Sequence, residues 1–376
     1  MPLHNYKKQS CDNNSRLPHH HDHVVVVMVP FPAQGHLNQL LQLSRLISAY
    51  NIPIHYVGTA THNRQAKLRV HGWDPLSVSY IHFHELPTPT FQNPPPNPNS
   101  KIKFPYHLQP LFDVAAEELR SPVASLLRSL SAANRRVVIV NDSMMGSVVQ
   151  DFIRFPNAEA YTFHSISAFT SFFFRWETAG KPFPVDEEIL QKLPALDGCF
   201  TPQFTEFVIN QSDYAKNSSG RIYNSCKEME GPFLDLLSKQ EISGNTKQWA
   251  LGPFNPVRVQ KGEEPNQRPN THKCLEWLDK QGMNEVILVS FGTTTSFCDE
   301  QIREIAIGLE KSEQKFIWVL RDADKGDRAV RILMAEDLGH EMRKRASKLG
   351  ESVRCSVADG GSTKVEFDAF IAHITR

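Results

Sequence analysis

A run of six apolar residues near the start of the chain, followed directly by a helical pattern, most constrains the fold. Residues 24–29 read Val-Val-Val-Val-Met-Val, and such a β-branched run is typical of a strand buried on both faces of a parallel sheet. The turn Pro30-Phe-Pro-Ala-Gln-Gly35 follows, and leucine or isoleucine then recurs at positions 37, 40, 41, 43, 46 and 47. This spacing predicts a helix from about His36 to about Tyr50.

Alternating strand and helix patterns continue beyond this first unit. Further strands are predicted at residues 52–57, 137–140 and 160–163, and helices at about 107–130, 145–155 and 166–178. This alternation indicates a doubly wound α/β domain. The proline-rich residues 86–98 exclude a helix or a central strand. They form either a plain surface connection or a cover over a substrate site.

A second, shorter α/β unit follows a polar stretch. Residues 285–290 predict a strand, 299–311 a helix and 315–320 another strand. A complete doubly wound domain needs several more strands, so we expect this domain to be shortened internally. The predicted organisation is a disordered leader at 1–22, a first domain at 23–256, a linker at 257–272, a partial second domain at 273–327 and C-terminal helices at 328–376.

The charge balance argues against nucleic acid and anionic membranes as partners. Forty-one basic residues offset forty-one acidic ones, and no run of lysine and arginine is longer than three residues, so we expect a small-molecule partner. The polar start of the chain has no apolar signal core, and the six cysteines are scattered without a C-x-x-C pair. We therefore predict a cytoplasmic protein without a zinc site, a disulfide framework or an integral membrane segment. The cluster His19-His-His-Asp-His23 is interpreted as a disordered tail, the alternative being metal chelation.

Two titratable residues lie beyond the carboxyl ends of predicted strands. His36 follows the first strand, and Asp142 follows the strand at 137–140. Ligands of open α/β sheets bind beyond the carboxyl ends of the strands, so both side chains share one crevice if the two strands are neighbours. An imidazole oriented by a carboxylate can act as a general base. The alternative is structural, with His36 at a helix start and Asp142 as a helix N-cap.

A glycine- and threonine-rich turn follows the strand at 285–290. Ser290, Gly292, Thr293 and Thr294 offer amides and hydroxyls ahead of a helix N-terminus, which suits a diphosphate. The alternative is a strand-to-helix turn that binds nothing. Neither G-x-G-x-x-G nor G-x-x-x-x-G-K-[ST] occurs in the chain, which disfavours a dinucleotide dehydrogenase or a P-loop ATPase.

Aromatic residues between positions 163 and 174 offer a wall for an apolar ligand. They either belong to the core or provide stacking surfaces for a planar heterocycle whose hydroxyl is oriented by polar groups. In the second interpretation, the residues that contact an acceptor molecule are Gln34, Phe163, His164 and Phe169.

Seven motifs spread over residues 24–327 form a recognisable combination. They are Pro30-Phe-Pro-Ala-Gln-Gly-His36-Leu-Asn, Ile52-Pro-Ile-His-Tyr-Val-Gly58, Ile139-Val-Asn-Asp142-Ser, Tyr161-Thr-Phe-His164-Ser, Trp249-Ala-Leu-Gly-Pro-Phe-Asn-Pro256, Cys274-Leu-Glu-Trp-Leu-Asp279-Lys and Ser290-Phe-Gly-Thr-Thr-Thr295. Together they resemble plant UDP-dependent glycosyltransferases, and within that family the branch of zeatin O-glucosyltransferases.

The resemblance implies a GT-B architecture, in which an N-terminal acceptor domain and a C-terminal UDP-sugar domain, both Rossmann-like, face each other across a cleft. It implies that His36 deprotonates the acceptor hydroxyl, that Asp142 pairs with His36, and that the turn from Ser290 to Thr294 approaches the nucleotide diphosphate. The implied reaction is inverting transfer of glucose or xylose from UDP-glucose or UDP-xylose to zeatin or a similar small cytokinin-like alcohol. It needs no metal and no permanently bound cofactor.

One segment of the family pattern does not occur in this sequence. The family has a signature box with a Trp-Ala-Pro-Gln opening and a His-Cys-Gly-Trp-Asn-Ser core, whereas here Asp327 leads directly to Arg328 and a stretch that resembles the family's C-terminus. A splice form, a true deletion or an omitted coding segment would each leave this pattern. Because the box holds uracil, phosphates and sugar, we expect nearly all of the affinity for the donor to be lost. The alternative to an enzyme is therefore a non-catalytic acceptor-binding or heterodimerising protein.

Overall fold

The computed structural model describes residues 24–70, 73, 78–89, 94, 97, 100, 102, 106–191, 193, 198–255, 273–282, 285–292, 297–319 and 337–376. Its largest feature is a parallel sheet of seven strands. These strands, β1 to β7, are Val24–Val29, Ile54–Thr59, Ile81–Leu86, Arg136–Asp142, Ala158–His164, Gly220–Tyr223 and Lys247–Ala250. Their spatial order is β3-β2-β1-β4-β5-β6-β7, which confirms the predicted α/β class.

Helices cover both faces of this sheet and continue beyond it. The helices of the described residues, α1 to α14, are Gln34–Ser48, Ala60–Arg69, Gln109–Glu118, Arg120–Ala133, Gly146–Val149, Ala168–Thr178, Glu187–Gln191, Pro202–Tyr214, Lys227–Ser238, Gln240–Ser243, Lys273–Leu278, Asp299–Lys311, Asp337–Val357 and Ser362–Ile374. Short 3-10 turns lie at Tyr106–Leu108, Gln150–Arg154 and Ala215–Asn217. None of the helices described here combines the length and the apolar character needed to cross a bilayer.

Strand β1 is buried along its whole length, as its uninterrupted apolar sequence predicts. Alternate side chains point to opposite faces: Val26 and Met28 join a core that includes α1 and α14, and Val25 and Val27 join a core that includes α3 and α4. β1 lies between β2 and β4, where the strand order reverses. A reversal of this kind opens a crevice at the carboxyl ends of the two central strands.

Two features of the first domain differ from the sequence predictions. The single helix predicted at 107–130 is two helices, α3 and α4, that meet at Leu119. Pro122 has no N–H to bond the carbonyl of Glu118, so one continuous helix would lose this hydrogen bond. Strands β3, β6 and β7 were not predicted. β6 and β7 have only four residues each and begin with Gly-Arg and Lys-Gln, so their burial depends on pairing within the sheet rather than on an apolar pattern.

The chain after residue 285 contains the predicted strand, helix and strand. β8 (Val286–Ser290) and β9 (Lys315–Val319) pair in parallel, and α12 connects them. The side chains of Leu288 and Val319 are 70% and 53% exposed, so this two-stranded sheet leaves apolar surface in contact with solvent. The predicted C-terminal helices correspond to α13 and α14. The leader at 1–22, the linker at 257–272 and the junction at 327–328 lie outside the described residues.

Three histidines share one face of the edge strand β3 and its neighbour β2. His55 is paired in register with His82, and Nδ1 of His55 lies 2.7 Å from Nε2 of His84. Burial, and then the neighbouring imidazoles of His84 and His82, lower the pKa of His55 from 6.5 to about 4. The folded protein therefore binds this proton less readily than the unfolded chain does.

Acidification below about pH 6.5 is expected to weaken the fold through His55, because only the unfolded chain takes up this proton until the folded pKa is reached. Above that pH the imidazole is neutral in both states, and its effect vanishes. After discounting for solvent screening, we expect a loss of about 1 kcal/mol at about pH 5. Urea unfolding at about pH 7.5 and about pH 5 should show that His55→Gln loses about 1 kcal/mol less stability than wild type. Equal losses in the two proteins would contradict the prediction.

Candidate active site

His36 and Asp142 meet at the crevice between β1 and β4. Nδ1 of His36 lies 2.7 Å from Oδ2 of Asp142. The carboxylate is fully buried, whereas the imidazole keeps 18% of its surface exposed. The other carboxylate oxygen, Oδ1, accepts a hydrogen bond of 3.0 Å from the backbone N–H of Met144. Both carboxylate oxygens are therefore fixed, and the imidazole is the member of the pair that a ligand can reach.

Two neighbouring parallel strands bring these side chains together. Val29 of β1 lies opposite Asn141 of β4, so both strands end at the same edge of the sheet. Helix α1 begins at Gln34 without a side-chain cap, which places His36 in its first turn. The buried Phe31 ring lies 5.0 Å from the His36 ring and restricts the orientations open to the imidazole.

The loop after β5 supplies a third polar group, which the sequence analysis missed. Oγ of Ser165 lies 2.9 Å from Nδ1 of His36 and 3.4 Å from its Nε2. The backbone carbonyl of Ser165 accepts a hydrogen bond of 3.0 Å from Nε2 of Gln39. Oε1 of Gln39 in turn accepts one of 2.9 Å from Nδ2 of Asn224, which directly follows β6. Groups from the ends of β1, β4, β5 and β6 thus converge around His36.

Two of the predicted acceptor-binding residues, Phe163 and His164, pack against other side chains of the first domain. Phe163 is fully buried and packs in the core that includes α1 and α14. His164 points to the other face of β5, where its ring stacks on Tyr223 with centroids 5.1 Å apart. Burial, with smaller effects of two arginines, lowers the pKa of His164 to about 3. Strand alternation thus directs Phe163 into the core and His164 against Tyr223, and their contact with an acceptor stays a prediction.

The other two predicted acceptor-binding residues are partly buried. Gln34 donates a hydrogen bond from Nε2 to Oε1 of Gln65, and its own Oε1 is buried without a partner among the described residues. Phe169 packs edge-on against Phe173 and Phe233, with ring centroids 5.0 Å away in both cases. Their contact with an acceptor stays a prediction.

An exposed apolar residue next to the site was not predicted. Ile166 directly follows Ser165 and is 47% exposed, so it can contact a ligand that reaches His36. A groove of about 680 Å³ also lies between α3 and α8, but neither His36 nor Asp142 lines it. Phe207 lines this groove, and its ring centroid lies 6.3 Å from that of Phe31. The groove therefore lies next to Phe31, which contacts His36, and not next to the imidazole itself.

The predicted diphosphate turn is described only in part. Ser290 and Gly292 are exposed at the end of β8, and Thr293 and Thr294 lie outside the described residues. Gly292 has a φ of 73°, a left-handed conformation that favours glycine, and a Cβ there would meet no atom of the described residues within 4 Å. The described part of the turn is therefore open on this side. Within the described part of the chain, no group of three His, Cys, Asp or Glu side chains is arranged to hold a metal ion.

Comparison with known proteins gives matches along most of the chain. Residues 22–256 match the family "Glycosyltransferase, N-terminal domain", and residues 206–333 match "UDP-glucoronosyl and UDP-glucosyl transferase". A zeatin O-glucosyltransferase of Phaseolus lunatus is 52% identical over 315 residues, which cover 84% of this chain and 66% of that protein. A zeatin O-xylosyltransferase of Phaseolus vulgaris is 51% identical over 304 residues, covering 81% and 64% respectively. The chain thus spans slightly less than two thirds of the length of these relatives.

Solved structures share the fold at low sequence identity. Phytolacca americana UGT2, complexed with UDP-2fluoro-glucose and pterostilbene, has a TM-score of 0.70 at 15% identity, covering 94% of this chain and 100% of that one. Medicago truncatula UGT71G1, complexed with UDP-glucose, has a TM-score of 0.67 at 17% identity, covering 94% and 99%. These likenesses confirm the GT-B type of fold. Together with the family matches and the relatives at about half identity, they show that the chain belongs to the plant UDP-dependent glycosyltransferases.

Proposed function

We propose that this chain transfers a sugar from a UDP-sugar to a hydroxyl group of a small acceptor, with His36 as the general base. The observation that carries the proposal is the contact of 2.7 Å between Nδ1 of His36 and Oδ2 of Asp142. An imidazole oriented in this way by a buried carboxylate keeps Nε2 free to take a proton. The family to which the chain belongs supports the same assignment.

In the proposed reaction, the acceptor hydroxyl approaches Nε2 of His36. The proton moves to Nε2 while the acceptor oxygen forms a bond to the anomeric carbon of the sugar. The bond between that carbon and the UDP oxygen breaks, and UDP leaves with its electron pair. Attack from the face opposite UDP inverts the anomeric centre. Asp142 stabilises the imidazolium that forms, because its buried negative charge lies beside Nδ1.

We further propose zeatin or a similar cytokinin as the acceptor, and UDP-glucose or UDP-xylose as the donor. The names of the two Phaseolus relatives support this choice, and these relatives differ from each other in the sugar. A cytokinin carries a planar heterocycle, which suits the apolar side chains of Ile166 and Phe169, which follow Ser165 in the chain. On the donor side, the open turn at Ser290 and Gly292 offers backbone amides to a diphosphate.

Product formation by the purified protein tests the proposal. Labelled UDP-glucose and UDP-xylose are each incubated with trans-zeatin, cis-zeatin, dihydrozeatin and an unrelated phenol. We expect an O-glycoside of at least one zeatin, at a rate that depends on His36. Absence of product from every donor and acceptor pair would overturn the proposed reaction.

A second candidate function is acceptor binding without sugar transfer, by this chain alone or in a heterodimer with an intact relative. The observation that favours it is that neither Trp-Ala-Pro-Gln nor His-Cys-Gly-Trp-Asn-Ser occurs in the sequence. The exposed apolar residues of β8 and β9 also favour this second function, because the larger sheet of a complete donor domain would cover them. Calorimetric titrations separate the two functions. Zeatin binding without UDP-glucose binding supports the second, whereas micromolar affinity for UDP-glucose supports the first.

A further inference from the structure

A series of three hydrogen bonds runs from the end of the first domain to the loop beside His36. The backbone N–H of Phe254 donates to Oδ1 of Asn224 at 2.9 Å. Nδ2 of Asn224 donates to Oε1 of Gln39 at 2.9 Å, and Nε2 of Gln39 donates to the backbone carbonyl of Ser165 at 3.0 Å. Both ends of the series are backbone groups with a fixed role, since an N–H only donates and a carbonyl only accepts. The two side-chain amides between them are therefore satisfied in one orientation only.

The first end of the series lies in a segment that packs closely against the end of β6. The backbone N–H groups of Leu251 and Gly252 donate to the carbonyls of Tyr223 and Ser225 at 3.1 and 3.0 Å. A Cβ on Gly252 would come within 2.5 Å of Oδ1 of Asn224, so only a glycine lets the backbone approach this amide so closely. The segment at 251–254 and Asn224 therefore cannot move independently of each other.

The second end of the series lies in the loop at 165–167. Oγ of Ser165 is 2.9 and 3.4 Å from the two ring nitrogens of His36, and the next side chain, Ile166, is 47% exposed. Gln39 lies about one turn after His36 in α1, so its bond to the Ser165 carbonyl joins the loop to the helix that carries the imidazole. A shift of this loop would change both the surroundings of the imidazole and the apolar surface next to it.

We propose that Gln39 and Asn224 are positioning residues, which couple the segment at 251–254 to the loop at 165–167. The position of the loop then responds to a change at Asn224, whose own hydrogen bonds in the series are to other residues. The inference rests on the proposed function, in which the surroundings of His36 are the acceptor site. It extends that function to two residues that act on acceptor binding through the loop.

Asn224→Asp breaks the series at one bond and keeps the size of the side chain. The carboxylate still accepts the hydrogen bond from Phe254, but it has no hydrogen to donate to Gln39. The Gln39 amide then turns its Nε2 toward the carboxylate, which directs its Oε1 at the Ser165 carbonyl and removes the bond to the loop. Gln39→Met removes the same bond directly, because methionine is similar in shape to glutamine but has no amide.

The δ-methyl group of Ile166 reports on the loop without ligand or turnover. Protein labelled with carbon-13 in its isoleucine methyl groups is studied by NMR, and the signal that disappears in Ile166→Val is that of Ile166. We expect Asn224→Asp and Gln39→Met each to shift this signal. The double variant should show the same shift as Gln39→Met alone, because both substitutions act through the bond between Gln39 and the loop.

Asn157→Asp is the matched control. Asn157 directly precedes β5, at the end of the sheet opposite His36, and its Nδ2 donates to the carbonyls of Ser131 and Asn134 at 2.9 Å. The substitution removes the same kind of donor, so it should leave the Ile166 signal in its wild-type position. An unshifted signal in Asn224→Asp, or an equal shift in Asn157→Asp, would overturn the inference. A double variant that shifts the signal further than Gln39→Met would also overturn it.

Failure of this inference can be distinguished from failure of the proposed reaction. If the wild type forms product, Asn224→Asp and Gln39→Met should raise KM for the acceptor by a factor of about 2 to 10, the effect of one hydrogen bond. KM for the UDP-sugar should stay the same, and an equal rise in both KM values would contradict the positioning role. If the wild type forms no product but the Ile166 signal shifts as expected, the coupling exists and the proposed reaction is wrong. Product formation together with an unshifted signal would leave the reaction and remove the coupling.

Discussion

His36→Ala is expected to reduce kcat/KM for sugar transfer to the acceptor by a factor of about 10² to 10⁴, because the acceptor hydroxyl loses the group that takes its proton. The substitution should leave the fold intact, since alanine favours helices and His36 lies in the first turn of α1. Initial rates at saturating UDP-sugar measure the loss. Undiminished turnover in this variant would remove His36 from the role of base.

Asp142→Asn tests the other member of the pair formed by His36 and Asp142. An amide at this position can donate a hydrogen bond to Nδ1, which moves the imidazole hydrogen to Nε2 and leaves no site for the acceptor proton. We expect a loss in kcat of about 10² to 10⁴. His82→Gln is the control, because it removes an exposed histidine of the edge strand β3 and should leave the rate unchanged. A control that falls as far as Asp142→Asn would indicate a general loss of structure.

The positions of His36 and Asp142 could be predicted because each follows a strand of continuous apolar residues. Such strands are buried on both faces, so polar residues soon after them mark the edge of the sheet. The residue pattern did not show that β1 and β4 are neighbours in the sheet, as their pairing does. The distance of 2.7 Å between the two side chains depends on that relation.

Ser165 was not predicted, because its sequence context indicates a different role. The segment His-Ser-Ile-Ser before a helix is typical of an N-cap, and Ser167 fills that role for α6. The contact between Ser165 and His36 joins residues 129 positions apart, and only the order of the strands brings them together. Phe163 was predicted to contact an acceptor, but the structure packs it in the core. Alternation along β5 assigns its side chain to one face of the sheet, whereas the sequence does not show that α14 helps to cover that face.

Helix α14 forms part of the first domain's core, although it lies far along the chain. Its Phe370 is fully buried, with ring centroids 5.5 Å from Tyr161 and 5.2 Å from Trp249. Gly220 lies beneath these rings, because a Cβ there would come within 2.9 Å of the Tyr161 ring and 3.0 Å of Nε1 of Trp249. The two large rings thus close over a glycine in β6, and Phe370 packs on both of them.

Phe370→Ala is therefore expected to lower the free energy of unfolding by about 3 to 5 kcal/mol. The substitution loses the transfer free energy of a buried phenyl ring and leaves a cavity between α14 and the sheet, whose strands restrict collapse. Urea unfolding measures the loss. Val365→Ala on the same helix is the matched control, since this side chain is 57% exposed and its removal should change stability by no more than about 0.5 kcal/mol. A loss below about 1 kcal/mol in Phe370→Ala would show that the first domain does not need α14 for its core.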